Sequence, residues 1–336
     1  MATSSRPRGY PPPLVIPPML VHETTMIVLH GRGSTAEKFA NPLLSHLVSS
    51  PAPSSVLSVQ SKSIPSTFQS HFPNTKFIFP TASLRRAQAY NRSMTHQWFD
   101  MYPLDEYPVE HKAHIQQRGL RESGQYIMDL AKEAAKEVGR GKVIVMGLSQ
   151  GCATLLTAIL AGLMDCNDGR HGDETGTGGV VGMCGWLPFK DTIAQAVGGC
   201  DELFEEGAND IFDRDVTAQE EEDSKVNTAT TLLREELGLE SLALSPMQTS
   251  SLCRVPIFFG HGTLDEKVPF QLGRQSAEVL QSLGLNVTWR DFEGLGHWYS
   301  ADMLRDVVAF IQGLEGWQRR NAGLNQFGAE SEQAQI

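Results

Sequence analysis

Short runs of β-branched and aromatic residues alternate along this chain with longer stretches whose apolar positions recur at helical spacing. Thr25–His30 (TMIVLH), Lys76–Phe79 (KFIF), Lys142–Met146 (KVIVM), Val180–Cys184 (VVGMC), Val255–Gly260 (VPIFFG) and Val287–Phe292 (VTWRDF) read as strands. The least interrupted of them have the composition of strands covered on both faces. Between them, His111–Val138 has helical composition, with Ile115, Leu120, Ile127, Leu130 and Ala134 on one face, although Gly119 and Gly124 weaken its first half. The run CATLLTAILAGL is apolar almost all round and predicts a buried helix. Gln271–Leu283 and Ala301–Leu314 complete the alternation. Strands alternating with helices predict an α/β fold with a mainly parallel central sheet and helices on both faces. In such sheets ligands bind beyond the carboxyl ends of the strands, so the residues that follow each strand carry the functional information.

Residues 1–23 form a Pro-rich arm, and 24–316 read as one domain with inserts at about 49–70 and 200–246. The first insert is rich in Ser and Pro. The second, Cys200–Ser245, is acidic, has a helical piece near Leu232–Leu237, and is expected to be exposed. It follows Trp186-Leu187-Pro188, where it could act as a lid over the site. Residues 317–336 form a polar tail.

Composition narrows the function classes. The 336 residues are 40% hydrophobic and carry a net charge of −11. Asp201–Asp223 holds eleven acids against Arg214 alone, so the remainder of the chain is nearly neutral. No basic footprint for nucleic acid exists. Five cysteines without CxxC spacing (Cys152, Cys166, Cys184, Cys200 and Cys253) predict neither a disulfide framework nor a zinc knuckle. Pro17 and Pro18 interrupt the apolar stretch Leu14–Val21, and no run approaches the ~18 apolar residues of a membrane span. A soluble, cytoplasmic protein without stable membrane insertion is expected.

The most informative motif is Gly147-Leu148-Ser149-Gln150-Gly151, a G-x-S-x-G between an apolar strand and an apolar helix. A turn that sharp forces its serine into a sparsely populated backbone region and lifts the hydroxyl out of the sheet. A serine hydroxyl needs a base to take its proton, and on this architecture an acid and then a histidine follow the nucleophile in sequence. Beyond Ser149 stand only His171, His261 and His297. His171 lies in a loop with no strand before it, and His261 directly follows strand 255–260. His297 follows strand 287–292 through a Gly-rich loop and is the expected base. Asp265, after strand 255–260, is the expected acid, ahead of its neighbour Glu266. The oxyanion donors are expected to be the backbone N–H groups of Gln150 and Arg32, the latter in the loop after the first strand.

Gly31-Arg32-Gly33-Ser34-Thr35-Ala36 also fits a dinucleotide-binding pattern. The acid that such a site requires about 20 residues on is missing from SSPAPSSVLSVQ. HExxH and P-loop motifs are absent, so neither a metal nor an organic cofactor is expected. His111 and His114 could share a helix face and are expected to be solvated.

Taken together, IVLHGRGST, KFIFPTA, QWFD, GLSQGCATLL, VVGMCGWLPF, FFGHGTLDEKVP and DFEGLGHW resemble, in order, the acyl-protein thioesterase / lysophospholipase-carboxylesterase family of α/β-hydrolases. The resemblance implies Ser149 as nucleophile, Asp265 as acid and His297 as base. Arg32 and Gln150 would be the oxyanion donors, with Trp98 and Leu187 near the acyl pocket. It implies a serine esterase or thioesterase acting on an acylated protein, a lysolipid or a small, even secondary, metabolite ester. The alternative of another class is a catalytically inactive α/β-hydrolase used as a binding module. The chain departs from the family in its arm and inserts. Cys152 stands where a small residue is usual, and Thr95-His96 where a Met-Pro-like pair is usual.

Overall fold

The computed structural model describes residues 9–49, 66–163, 177–205 and 218–318, with only the backbone path described for 199–205 and 218–222. Seven strands form the central sheet: β1 (Leu14–Ile16), β2 (Thr24–Leu29), β5 (Thr75–Phe79), β8 (Val143–Leu148), β9 (Gly179–Met183), β10 (Ile257–Gly262) and β11 (Val287–Phe292). Their spatial order is β1-β5-β2-β8-β9-β10-β11. All neighbours pair in parallel except β1, which runs antiparallel to β5. Two short ladders, β3 (Leu47–Val48) with β4 (Ser66–Thr67) and β6 (Leu84–Ala87) with β7 (Ser93–His96), stand outside the sheet. The helices are α1 (Ala36–Leu44), α2 (His114–Val138), α3 (Gln150–Leu160), α4 (Lys190–Glu205), α5 (Ala218–Glu236), α6 (Pro246–Arg254), α7 (Phe270–Ser282) and α8 (Ala301–Gly313).

The two-residue period of the strands divides the core into two layers. Ile27, Leu29, Val143, Val145, Val180, Ile257 and Phe259 face the layer that includes α2, α3, α5 and α7. Met26, Val28, Ile144, Met146, Val181 and Phe258 face the opposite layer, with Phe39 of α1 and Val307 of α8. A strand buried on both faces has no polar side, which is why these segments read as continuous apolar runs.

The predicted strands are present, Val287–Phe292 as expected and the others with ends moved by one or two residues. The largest shift is at β10, which begins at Ile257 because Pro256 has no N–H to give to a ladder. Helix α2 begins at His114, three residues later than the sequence reading. Gly119 sits inside it because the backbone of Phe99 crosses there: a Cβ at that position would lie 2.5 Å from Phe99 Cα. Helix α1 was not anticipated, being short and carrying Pro42. The arm is more than an extended leader, since Leu14–Ile16 adds β1 to the sheet edge.

The acidic insert is only partly as expected. Residues 206–217 lie outside the described residues, as do 50–65 of the first insert, His171 with its loop, and the tail from 319 onward. Helix α5 is not an exposed element. Val226, Ala229 and Leu233, with Leu237 just past its end, are buried, and the helix packs against α3, α4 and α6. These four positions form one helical stripe, which the surrounding polar residues hide when composition is averaged. Arg234 Nη1 donates to Ala161 O at 2.8 Å, and Arg121 Nη1 donates to Leu237 O at 3.0 Å. This ties the end of α5 to the carboxyl end of α3, some three turns from Ser149, so that part is a wall of the core and not a lid. Leu233→Ala should cost about 2–5 kcal/mol of stability, read by urea unfolding. An exposed helix would lose almost nothing.

Candidate active site

Strand β8 ends at Leu148 and α3 begins at Gln150, so one residue makes the whole reversal. Ser149 does so at φ 56° and ψ −121°. Such a conformation costs on the order of 1–3 kcal/mol in a non-glycine residue and persists only where its surroundings enforce it. Here the Ser149 N–H donates to Met183 O at 2.8 Å, and the flanking glycines admit the tight approach. A Cβ on Gly147 would lie 2.6 Å from Cys152 N, and one on Gly151 would lie 2.8 Å from Leu29 Cβ. The G-x-S-x-G spacing is therefore a packing requirement of this turn. Cys152 fits behind it because two further glycines face its thiol: a Cβ at Gly182 or Gly185 would lie 2.6 or 2.5 Å from Sγ. Burial pushes that thiol's pKa up, beyond the usual range.

Three side chains from three strand ends meet at this turn. Ser149 Oγ lies 2.9 Å from His297 Nε2. On the other side of the ring, His297 Nδ1 lies 2.9 and 2.8 Å from the two oxygens of Asp265. Asp265 Oδ1 also accepts from the N–H groups of Lys267 and Val268, each at 2.9 Å. Burial works to raise the pKa of this carboxyl. The hydrogen bonds from His261 and His297, the positive charge His297 can carry and the Val268 N–H outweigh it, and hold Asp265 well below the usual carboxylate range. A carboxylate so held is ionised, with Nδ1 of His297 as donor and Nε2 left to accept a proton.

Gly31 lies directly against the serine, where a Cβ would stand 3.3 Å from Ser149 Cβ. Arg32 follows it, with its guanidinium 4.3 Å from the centroid of the Tyr90 ring and so engaged with the β6–β7 hairpin. Gln150 is the first residue of α3, where backbone N–H groups have no partner within the helix. Its side chain works elsewhere: Oε1 accepts from Trp98 N–H at 2.9 Å and Nε2 donates to Phe99 O at 2.7 Å.

A buried network holds the Gly31–Gly33 turn. His30 Nε2 accepts from Ala82 N–H at 3.1 Å, which leaves Nδ1 as donor to Gly31 O at 2.7 Å. Trp98 Nε1 donates to His30 O at 2.7 Å, and Ser123 Oγ donates to Trp98 O at 2.6 Å. His96 O accepts from Gly33 N–H at 2.8 Å. The sequence reading did not single out His30 or Ser123, because one ends a strand and the other sits mid-helix.

Burial lowers the pKa of His30 from 6.5 to about 4. Between those values the unfolded chain binds a proton that the folded chain does not. The stability, complete above about pH 6.5, is therefore lost as pH falls toward 4, by about 3 kcal/mol. Urea unfolding of His30→Gln should show that part of the pH dependence gone; a profile as steep as wild type would contradict the assignment.

The model of the phospholipase/carboxylesterase family matches residues 11–206 and 226–315. The chain belongs to that family. The unmatched residues between those segments fall in the acidic insert. Similar relatives include an acyl-protein thioesterase 1 of Debaryomyces hansenii, 26% identical over 70% of this chain and 74% of its own. An acyl-protein thioesterase 1 of Yarrowia lipolytica is 23% identical over 90% of this chain and 96% of its own. The Arabidopsis thaliana carboxylesterase SOBER1 is 22% identical over 72% and 78%. Among solved structures, Zea mays acyl-protein thioesterase 2 superposes with a TM-score of 0.57 at 19% identity, covering 89% of this chain and 97% of that one. SOBER1 itself superposes with a TM-score of 0.52 at 21% identity, over 86% and 97%. At that identity the structures show a shared fold, the α/β-hydrolase fold of the family.

The family's remaining expected site residues are placed less openly. Trp98 and Leu187 are both fully buried. Trp98 lies under the Gly31 turn, and Leu187 N–H donates to Ser276 Oγ at 2.9 Å. The exposed apolar residues beside the triple are others: Leu264, 66% exposed, precedes Asp265, and Trp298, 45% exposed, follows His297. His111 does not share a face of α2 with His114. It precedes the helix and packs between the rings of Tyr102 and Tyr107, 4.8 and 4.7 Å away. Among the described residues no group of His, Cys, Asp and Glu could hold a metal ion, and no helix is long and apolar enough to cross a membrane.

Proposed function

We propose that this protein is a serine hydrolase that cleaves carboxylic esters or thioesters through an acyl-enzyme. The observation that carries the reading is the unbroken row from Ser149 Oγ through His297 to Asp265, every link 2.8–2.9 Å. His297 Nε2 takes the proton of Ser149 as Oγ attacks the substrate carbonyl carbon. The resulting oxyanion is met by the backbone N–H groups of Gln150 and Arg32, on a turn already fixed by His30 and Trp98. Collapse expels the alcohol or thiol, which leaves with the proton from His297. Water then attacks the acyl-enzyme by the same route, releasing the carboxylic acid and restoring the serine.

An acyl-protein thioesterase-like or carboxylesterase-like substrate is supported by the names of the relatives and by the apolar rim of Leu264 and Trp298. Trp98 and Leu187 would enter the acyl site only as its inner wall. The inactive binding module is disfavoured because such a protein has no use for an intact proton path. Purified protein should hydrolyse p-nitrophenyl esters and label with a fluorophosphonate at a single serine. Comparison of short with long acyl chains, as p-nitrophenyl and S-acyl peptide substrates, separates a small-ester enzyme from a protein thioesterase. Neither turnover nor labelling on any chain length would overturn the proposal.

A further inference from the structure

His261 touches none of the reacting atoms, yet its ring is completely buried at the end of β10 directly behind the acid. It is enclosed by aromatic rings: Trp289 lies 6.1 Å away and nearly parallel, and Phe270 lies 6.1 Å away and edge-on. Helix α7 closes the remaining side at Gly273, where a Cβ would lie 2.2 Å from His261 Nδ1. Nδ1 has no hydrogen-bond partner among the described residues. Nε2 stands 3.0 Å from Val268 O and 3.2 Å from Asp265 Oδ2. A carbonyl only accepts, so Nε2 carries the hydrogen and Nδ1 is a bare lone pair. One buried N–H thus faces both the acid and the far end of its loop.

We propose that His261 is a positioning residue for Asp265, a neutral donor that draws charge from the second carboxylate oxygen and so sets how strongly Asp265 holds the His297 imidazolium. The inference rests on the triple described above. Oδ1 is fixed by the N–H groups of Lys267 and Val268, while Oδ2 faces His261 and His297. A carboxylate that shares its charge with a second donor gives less of it to the first. An Asp265 that bound the imidazolium too tightly would leave His297 protonated and unable to accept the serine proton. The other ionisable groups near the carboxylate are Cys184, whose thiol also borders Asp265, and Glu266 and Lys267 in its own loop, Lys267 being 3.9 Å from Asp105.

The test replaces the donor while keeping the packing. His261→Leu should lower kcat/KM for a p-nitrophenyl ester about tenfold and move the acid limb of the kcat/KM profile to higher pH, because the unshared carboxylate holds the imidazolium more firmly. His261→Gln, which keeps an N–H at the reach of Nε2, should return the limb to its wild-type position. His261→Met serves as the donor-free variant if the leucine chain does not fold. A limb that stays in place or moves to lower pH in a folded donor-free variant overturns the proposal, since a purely structural loss would let Asp265 swing away from the imidazole. The reading of Ser149 fails separately, by full activity of Ser149→Ala, so the two failures are distinguishable.

Discussion

Ser149→Ala is expected to abolish turnover of p-nitrophenyl esters, with a fall in kcat on the order of 10⁵–10⁶-fold, and to remove fluorophosphonate labelling. The size follows from the arrangement. The substitution deletes only the hydroxyl, yet on the proposed mechanism that is the point where the proton path meets the substrate, and it is the hydroxyl that lies 2.9 Å from His297 Nε2. Cys152 and Cys184 are buried thiols whose pKa burial pushes upward, to about 12 for Cys184, so neither offers a replacement thiolate. The fold should be unaffected, because the backbone strain at φ 56° is the same for alanine as for serine. Melting temperature and circular dichroism should match wild type. Full activity in a folded Ser149→Ala protein would refute the nucleophile assignment outright.

Asp265→Asn should cost about 10⁴-fold in kcat while changing the volume of the site hardly at all. The carboxylate sits among donors: the N–H groups of Lys267 and Val268, His261 Nε2 and His297 Nδ1, with the Cys184 thiol beside it. An amide brings two hydrogens of its own into that ring, so it either opposes a donor or forces His297 to accept at Nδ1. In the latter state Nε2 carries the hydrogen and can no longer take one from Ser149. The donor left unsatisfied should cost about 1–3 kcal/mol of stability. The pH dependence of stability changes as well. Because the folded-state pKa of Asp265 is depressed, its stabilisation is complete above the ordinary 3.8 and is lost as pH falls below it. That acid-range loss should be missing from the asparagine variant, and an unchanged acid transition would place the low pKa elsewhere.

Much of this was legible in the sequence because burial on both faces of a sheet leaves a simple mark. A strand such as VIVM carries no polar side chain, and a buried helix such as CATLLTAIL keeps only Thr154 and Thr157, whose hydroxyls donate back to its own carbonyls. Chain order then placed an acid and a histidine after later strands. Elements stabilised by context were harder to read. The arm looked irregular because three residues of strand are too few to show a period, and β1 exists only because β5 offers an edge. Helix α5 looked exposed because its apolar stripe is diluted by charge. The β6–β7 hairpin pairs four residues on each side, and its importance comes from a neighbour, through Gly33 and Arg32.

By itself the sequence determined the α/β alternation, the sharp G-x-S-x-G turn, and the candidacy of Ser149, Asp265 and His297, because each follows from local sterics or from position after a strand. Only the tertiary structure decided that Asp265 is ringed by donors, that His261 is one of them, and that His30, Trp98 and Ser123 brace the turn beside the serine. Those facts depend on which strand ends lie side by side. Parallel β2, β8, β10 and β11 bring together residues as many as 148 positions apart, and no local pattern encodes the distance between two side chains that only a shared sheet makes neighbours.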